Sequence, residues 1–388
     1  MSSERLVNGL RDRGHTVLVV HVTESLVSPD PGTLCRTAIA GVNVPSEPEA
    51  MFRALRRRME GSIMVGFGAD RAGYFAVLWA LWLGLKSLVL FRGNDFDRII
   101  HDVRRGWMTH FILDKATMTG AVSREMLTRI TTLRKADCSY TPNGIDTSVW
   151  VTLESDLKRA QEALQELKTA LPNNPGRPLK NKKIAGIFGY LKYKKGLDMA
   201  VDLFSNFGLG TGAYLMAVGD VPEEMRKFIQ YAQSAQSGQS GQTGQAELSN
   251  PVESAEPAES AIDDGFWIEA GYKDRDELPA WYALSDVVLI PSHYDGMPNV
   301  MLEAMSLGRV VVANRSGGMP DVIENGVNGF LFDGEDRLHA ARVLETALSL
   351  PASARDEIGK NARETIERGF TAAHEIDGIE AALSAGRT

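Results

Sequence analysis

Two carboxylates near the end of a predicted strand are the side chains of this 388-residue chain best suited to chemistry. Asp295 precedes a predicted helix, and Glu303 lies eight residues later, inside that helix. Carboxylates accept hydrogen bonds from sugar hydroxyls, so one can hold a ribose and the other a hexose. The alternative is that Asp295 only caps the helix and that Glu303 is a solvated helix residue. The spacing alone leaves both interpretations open.

The elements around these carboxylates predict an anion site. A continuous apolar run ends at Ile290, and Gly296 allows the backbone to turn tightly. Pro298 suits the first turn of the following helix, and Gly308 is a natural C-terminal stop. Free backbone amides and the positive end of the helix dipole then face a ligand, an arrangement suited to a diphosphate. A second glycine turn, Gly317-Gly318, follows directly.

Short, continuously apolar runs alternate with helical patterns along nearly the whole chain. They cover residues 16–21, 62–66, 87–91, 184–188, 213–218, 286–290 and 310–313. Such runs are typical of strands buried on both faces, and intervening helices indicate βαβ crossovers in parallel sheets. We therefore predict an α/β fold with two Rossmann-like, doubly wound parallel-sheet domains that face a central cleft.

Segments rich in helix and strand breakers set the predicted domain boundaries. Residues 1–150 form an N-terminal Rossmann-like domain, 151–183 a linker with a charged helix over 156–171, and 184–370 a C-terminal Rossmann-like domain. Residues 371–388 form a helix that returns to the N-terminal domain. Residues 233–260 lack aromatic and basic side chains and are predicted to be a disordered insertion. The chain begins in what resembles a first helix, so the opening strand and its glycine turn are expected to be absent.

Composition favours a cytoplasmic protein without a nucleic-acid partner. The net charge is −8, although residues 1–150 carry 19 basic and 15 acidic side chains. An anionic ligand near this part and ordinary surface variation both explain that asymmetry. Cys35 and Cys138 are too few for a disulfide framework. The apolar run Ala72–Leu85 is shorter than the ~20 residues that a membrane crossing needs, and it predicts a buried helix.

The glycine turns belong to a series of motifs. They are Pro291-Ser292, Asp295-Gly296-Met297-Pro298, Leu302-Glu303-Ala304-Met305, Gly308-Arg309-Val310-Val311, Gly317-Gly318-Met319-Pro320-Asp321 and Gly326-Val327-Asn328-Gly329, preceded by Arg13-Gly14-His15, Pro142-Asn143-Gly144-Ile145-Asp146 with Trp150, and the loop Gly189–Leu197. In types and order they resemble the motifs of retaining GT-B glycosyltransferases of family four (glycosyl transferases group 1). The resemblance covers nearly the whole chain except residues 233–260.

The resemblance implies roles for individual residues. Glu303 would bind the ribose of a nucleotide sugar, and Asp295 would hold the donor sugar. Lys195 would neutralise the departing diphosphate, because a fixed cation stabilises the charge that a leaving group accumulates. The residues implied to contact the donor through the backbone or the phosphate loop are Gly296, Met297, Pro298, Asn299, Gly189 and Lys192.

Three positions depart from the family pattern. Asp295 stands where Glu is common, and Tyr190 stands where a phosphate-binding Arg is usual, which makes Lys192 and Lys194 candidates for the second cation. Arg92 opens a segment where relatives often have His-Gly-x-Asp, so it is a catalytic candidate for the donor phosphate or the acceptor. His101 is the other candidate there, against the interpretation of a helix-surface histidine.

The implied reaction moves a hexose from a UDP- or GDP-sugar to a hydroxyl with retention, using neither cofactor nor metal. The acceptor is an undetermined glycan, lipid or small molecule. The basic segment Met51–Met59 suits either peripheral contact with an anionic surface or a solvated helix face. Two alternatives on the same fold are a non-catalytic or truncated nucleotide-sugar-binding protein and a sugar-nucleotide epimerase. No Gly-x-Gly-x-x-Gly turn follows an opening strand, which disfavours a dinucleotide-dependent oxidoreductase.

Overall fold

The computed structural model describes residues 2–17, 19–23, 35–38, 60–93, 95–133, 137–170, 183–207, 212–237 and 266–385. The chain divides into two units. The first unit comprises Met1–Thr147, Asp295–Leu302 and Ile366–Thr388. The second unit comprises Ser148–Tyr294 and Glu303–Thr365.

Helices and strands alternate through both halves of the chain. The first half contains α1 (Ser2–Asp12), β1 (Val20–Thr23), β2 (Cys35–Ala38), β3 (Ile63–Phe67), α2 (Arg71–Leu83), β4 (Lys86–Phe91), α3 (Asp95–Ile100), α4 (Gly106–Lys115), β5 (Met118–Ala121), α5 (Arg124–Leu133) and β6 (Cys138–Tyr140). The second half contains α6 (Glu154–Ala170), β7 (Lys183–Phe188), α7 (Leu197–Ser205), β8 (Ala213–Val218), α8 (Glu223–Ser237), β9 (Trp267–Gly271), α9 (Leu278–Leu284), β10 (Val287–Ile290), α10 (Asn299–Ser306), β11 (Val311–Asn314), α11 (Met319–Val322), β12 (Phe330–Phe332), α12 (Arg337–Leu348), α13 (Ala352–Gly369) and α14 (Ala372–Ala385).

The first unit is built on a parallel sheet. Among the described residues this sheet has four strands in the order β3-β4-β5-β6, and β1 and β2 form a separate parallel pair. Leu88 and Leu90 of β4 lie in one buried cluster with Leu6 of α1 and Ile379 of α14. The last helix of the chain therefore completes the core that the first helix begins.

The second unit carries a doubly wound sheet. Its described strands, six in number, are all parallel and follow the order β12-β11-β10-β7-β8-β9. Strand order reverses between β7 and β10, so this is the topological switch point, where ligands bind beyond the carboxyl ends of the strands. β7, β8, β10 and β11 are buried on both faces, which explains why their sequences are continuously apolar. The predicted α/β class with two parallel sheets is confirmed.

Several elements differ from the sequence prediction in their bounds. The strand predicted over 16–21 begins only at Val20 and runs to Thr23. The apolar run 72–85 forms α2, but only one face is buried, since Leu81 and Trp82 are 51% and 61% exposed. Within the described ranges, none of the helices combines the length and the apolar character that crossing a bilayer requires.

The predicted insertion at 233–260 begins inside a helix. α8 continues to Ser237, because the Ala and Gln residues at its end favour helix nearly as well as the segment before them. Residues 238–265 lie outside the described residues, as does the basic segment 51–59.

Gly144 sets the distance between the segment after β6 and the start of α14. Ile145 bridges to Thr371, with Ile145 N donating to Phe370 O at 2.9 Å and Ala372 N donating to Ile145 O at 2.8 Å. A Cβ on Gly144 would lie 2.2 Å from Thr371 O, so only glycine permits this backbone approach.

We predict that Gly144→Ala lowers the free energy of unfolding of the first unit by about 1–3 kcal/mol, because backbone must separate from backbone. Gly369→Ala is the matched control, since a Cβ there meets no atom within 4 Å. Urea unfolding of both variants checks the prediction. Equal midpoints for the two variants would contradict it.

Candidate functional site

Glycines bring the loops at the switch point of the second unit together. Gly189 follows β7 with φ 108°, and Gly219 follows β8 with φ 135°. A Cβ on Gly219 would lie 2.0 Å from Gly189 O. The backbone of the Gly189 loop is therefore held by a contact that no larger residue allows. Gly189, predicted to line the phosphate site, lies at the carboxyl end of β7.

The loop that carries Lys195 contacts the segment after β10. Residues Tyr193–Lys195 form a 3₁₀ turn that ends at Gly196, whose φ is 72°. A Cβ on Gly196 would lie 1.9 Å from Pro291 O, and His293 N donates to Lys194 O at 3.2 Å. The structure thus brings the predicted phosphate-loop lysine to the loop that follows β10, on the other side of the switch point.

A histidine–aspartate pair reinforces this junction. His293 Nε2 lies 3.0 Å from Asp198 Oδ1, and the His293 ring lies 5.1 Å from the ring of Tyr193. Sequence reasoning missed this pair, because its members are 95 residues apart and no motif connects them. Lys192, predicted to be a phosphate ligand, places Nζ 4.9 Å from the centre of the Tyr190 ring, where a cation–π attraction holds it.

The buried side-chain amide of Asn314 holds the loop after β10 in place. Asn314 Nδ2 donates to Ser292 O at 3.0 Å, and Gly334 N donates to Asn314 Oδ1 at 2.9 Å. Asn314 ends β11 and is buried. One amide therefore ties together the loops after three neighbouring strands. In the sequence, the feature that indicates this link is Asn314, a polar residue directly after the apolar run 310–313.

Glu303 is oriented by a buried tyrosine. Tyr282 Oη donates to Glu303 Oε2 at 2.9 Å. The Tyr282 ring stacks on Phe188, with ring centres 4.0 Å apart and planes 18° apart, and meets Trp150 edge to face at 6.1 Å. Phe188 is the last residue of β7, so the predicted ribose ligand is anchored to the strand that leads into the Gly189 loop.

The Tyr282 hydroxyl is held in its protonated, donating form. Burial, followed by the negative charge of Glu303, raises the pKa of Tyr282 well above the ordinary value of 10.0. A neutral phenol can donate only one hydrogen bond, so the Glu303 carboxylate accepts it with a fixed geometry. Tyr282 was not a sequence candidate; the aromatic helix segment Trp281-Tyr282 gave no spacing signal toward Glu303.

The predicted donor-sugar loop belongs to the first unit in its packing. A Cβ on Gly296 would lie 2.8 Å from Arg92 O, so this glycine packs directly on the segment after β4. Asn143 Nδ2 donates to Met297 O at 2.7 Å. Pro298 and Asn299 follow, and α10 begins at Asn299. Asn143, from the Pro-Asn-Gly motif, therefore holds the loop that starts at Asp295.

Arg92 fixes the orientation of that asparagine. Arg92 Nη1 donates to Asn143 Oδ1 at 2.5 Å and to Glu375 Oε1 at 2.6 Å. With its oxygen engaged, the Asn143 amide presents its nitrogen to Met297 O. Arg92 is thereby a positioning residue for the loop 295–298, in addition to the predicted contact with phosphate or acceptor. The structure places His101 on the surface just after α3, outside these contacts, and its catalytic role stays a prediction.

The predicted site residues fall into two groups. Gly189, Lys192, Lys195 and Glu303 lie in the second unit; Arg92, His101, Asp295, Gly296, Met297, Pro298 and Asn299 lie in the first. In the described part of the chain, no group of three or more His, Cys, Asp or Glu side chains is placed to hold a metal ion. A metal-independent reaction stays a prediction.

A family model matches the part of the chain that contains the predicted site residues of the second unit. Residues 173–365 match the family model "Glycosyl transferases group 1". We refer to this matched segment as the group 1 domain. The family named by the sequence motifs is therefore confirmed at this level, while retention and the family-four assignment stay predictions.

Curated relatives match over shorter segments. The chain is 44% identical over 101 residues to sulfoquinovosyl transferase SQD2 of Arabidopsis thaliana, which is 25% of this chain and 20% of that protein. It is 42% identical over 76 residues to a D-inositol 3-phosphate glycosyltransferase of Xylanimonas cellulosilytica, 20% of this chain and 18% of that protein. The aligned segments thus span about a fifth of the length of these relatives.

Solved structures match over nearly the whole chain. A sucrose-phosphate synthase from Thermosynechococcus elongatus aligns with a TM-score of 0.69 at 15% identity, over 99% of this chain and 92% of that one. Anabaena HepE, in complex with UDP and glucose, aligns with a TM-score of 0.64 at 18% identity, over 90% of this chain and 84% of that one. These likenesses, with the two parallel-sheet units, show the GT-B fold.

We predict that Tyr282→Phe lowers the free energy of unfolding of the group 1 domain by about 1 kcal/mol at neutral pH, the contribution of one hydrogen bond. Because the pKa of Tyr282 is raised in the folded state, its contribution to the free energy of unfolding is fully present below pH 10.0. Above that pH the contribution decreases, since the phenol ionises first in the unfolded chain. The difference between wild type and variant therefore shrinks as pH rises.

Urea unfolding at about pH 8 and about pH 11, straddling the ordinary tyrosine range, checks this prediction. Tyr231→Phe, on an exposed tyrosine of α8, is the matched control. A Tyr282→Phe difference that is constant between the two pH values would contradict the assigned donor role.

Proposed function

We propose that this protein transfers a hexose from a nucleoside diphosphate sugar to a hydroxyl acceptor, with retention of the anomeric configuration. The observation that carries the proposal is the Tyr282–Glu303 hydrogen bond next to the end of β7. A carboxylate fixed beside the switch point of a doubly wound sheet suits a ribose, whose vicinal hydroxyls are hydrogen-bond donors. The group 1 domain match supports the same reaction class.

The donor diphosphate would lie beside the Gly189 and Lys195 loops. Gly219 allows its loop to pack directly on Gly189 O, and His293 N donates to Lys194 O at 3.2 Å, so contacts within the second unit order both loops before a ligand arrives. A cation that does not have to move when the leaving group gains negative charge lowers the barrier more than a mobile one. Lys195 would stabilise the departing nucleoside diphosphate in this way.

The transferred sugar would be held by Asp295 and by the backbone of residues 296–299. Asn143 and Arg92 hold the Met297 carbonyl in place, so the loop presents Asp295 from a fixed backbone. Asp295 would accept hydrogen bonds from the hydroxyls of the hexose.

A UDP-sugar is the donor we propose first. Structures of Anabaena HepE contain UDP, UDP and glucose, or UDP-glucose, and their fold extends over most of this chain. The relatives are named as a sulfoquinovosyl transferase and as D-inositol 3-phosphate glycosyltransferases, and each name describes transfer of a sugar unit. These names support glycosyl transfer as the reaction class and leave the acceptor to experiment.

We predict that wild-type protein is stabilised against heat by UDP or a UDP-sugar and that Glu303→Gln weakens this binding about tenfold or more. A neutral amide accepts a hydroxyl hydrogen bond less strongly than a carboxylate does. Thermal-shift titration with UDP-, GDP- and ADP-sugars measures the effect. Glu324→Gln, an exposed residue of the same unit, is the control.

The donor titration also separates the alternatives on this fold. Binding of no nucleotide sugar, or equal binding by wild type and Glu303→Gln, would contradict the proposed donor site. Product analysis with a labelled donor then distinguishes transfer from epimerisation, because only transfer forms a new glycosidic bond. A protein that binds donor through Glu303 but forms no product would be a nucleotide-sugar-binding protein.

We predict that Lys195→Ala lowers the turnover number of transfer by about 10²–10³ with a much smaller change in donor affinity, because the cation acts on charge that develops in the transition state. Lys227→Ala, on the exposed face of α8, is the matched control. Steady-state kinetics of sugar transfer measures both constants. A loss confined to donor affinity would assign Lys195 to binding alone.

A further inference from the structure

Two arginines of the first unit share one buried carboxylate. Arg5 Nε lies 2.8 Å from Glu375 Oε2, and Arg92 Nη1 lies 2.6 Å from Glu375 Oε1. Gly144 N also donates to Glu375 Oε2 at 3.2 Å. The Glu375 side chain is fully buried, while those of Arg5 and Arg92 are 22% and 14% exposed. We call these three side chains the Arg5–Arg92–Glu375 cluster.

The positive charge of the cluster exceeds its negative charge. Two guanidinium cations face one carboxylate, and each of the two carboxylate oxygens is already engaged. Burial is the largest influence on Arg92 and lowers its pKa; Glu375 opposes that shift and Arg5 adds to it. One more negative charge at this position would therefore be stabilised.

The unpaired nitrogens form a fork that matches an oxyanion. Arg92 uses Nη1 for both of its hydrogen bonds, which leaves Nε and Nη2, and these two atoms are buried with no hydrogen-bond partner in the described part of the chain. Nη2 of Arg5 is buried and unpartnered in the same sense. The Nε–Nη2 edge of a guanidinium donates two parallel hydrogen bonds, the geometry that carboxylate and phosphate accept.

We propose that the Arg5–Arg92–Glu375 cluster is a subsite for an oxyanion, which the Nε–Nη2 edge of Arg92 and Nη2 of Arg5 would bind. The ligand class is a carboxylate or a phosphate group. The further assignment, that this group is the acidic part of the acceptor, rests on the proposed function. Glu375 holds the two guanidinium groups in register, and Asn143 holds Nη1 of Arg92 away from the ligand edge.

The position of the cluster in the fold agrees with this role. Arg92 directly follows β4, and Asn143 lies three residues after β6, so both are at the carboxyl edge of the parallel sheet. Arg5 lies in the first turns of α1. Ligands of α/β units bind at this edge of the sheet. The same Arg92 contacts the loop 295–298 through Asn143, which would place the oxyanion beside the segment proposed to hold the donor sugar.

Binding of inorganic phosphate to the full chain tests the subsite without requiring transfer. Isothermal titration with phosphate, and separately with acetate, is carried out at constant ionic strength without UDP and again with saturating UDP, which fills a diphosphate site. We expect Arg92→Gln to weaken binding of the favoured anion about tenfold or more, since both charge and fork are lost. Arg92→Lys, which keeps the charge and loses the fork, should weaken it less. Arg98→Gln, on an exposed arginine of α3, should not change it.

The outcomes separate the subsite from the proposed function. Binding of neither anion to wild type, or equal binding by wild type and Arg92→Gln, overturns the subsite. Displacement of the anion by UDP overturns it as well, because the cluster would then bind the donor diphosphate. Anion binding that depends on Arg92 in a protein that binds no UDP supports the subsite and overturns only the donor assignment. If Arg92→Gln loses its folded circular-dichroism spectrum, Arg5→Gln replaces it with the same expectations.

Discussion

The contact between Gly196 and the carbonyl of Pro291 is the constraint on which the second unit's site depends. Because residue 196 has no Cβ, the 3₁₀ turn at Lys195 can lie directly on the segment after β10. The Gly219–Gly189 contact applies the same restriction to the loops after β7 and β8. Close backbone approach and hydrogen bonds, such as the one from Asn314 Nδ2 to Ser292 O, order these loops.

In the first unit, charged groups act together with the glycine contacts at Gly144 and Gly296. Glu375 of α14 forms ion pairs with Arg92 and Arg5. Arg92 also donates to Asn143 Oδ1, and Asn143 Nδ2 donates to Met297 O. A buried carboxylate between two guanidinium groups is stabilising only while its partners remain, because removal of one leaves an uncompensated charge in a poorly hydrated place. The loop that begins at Asp295 thus depends on residues at both extremes of the chain.

The elements that sequence reasoning found are those with long apolar runs. β4, β7, β8 and β10 lie within one residue of their predicted bounds at each end, since strands buried on both faces need such runs. β5 and β6 were missed because Met118-Thr-Gly-Ala and Cys138-Ser-Tyr contain Gly, Ser and Thr, and they form strands only through their parallel neighbours. Motif residues were found by resemblance, whereas Tyr282, Asp198 and Glu375 are defined by contacts over distances in sequence that no local pattern encodes.

The division of the first unit between the two ends of the chain has a consequence for biosynthesis. Leu6 and Leu10 pack against Ile376 and Ile379, and Glu375 arrives only with α14. Domains usually fold in the order in which they leave the ribosome. Here the apolar face of α1 stays uncovered until α14 has been translated, because Arg5 and Glu375 are 370 residues apart in the chain. The described strands of the second unit all precede α14, so its sheet can be buried during synthesis before the core of the first unit is complete.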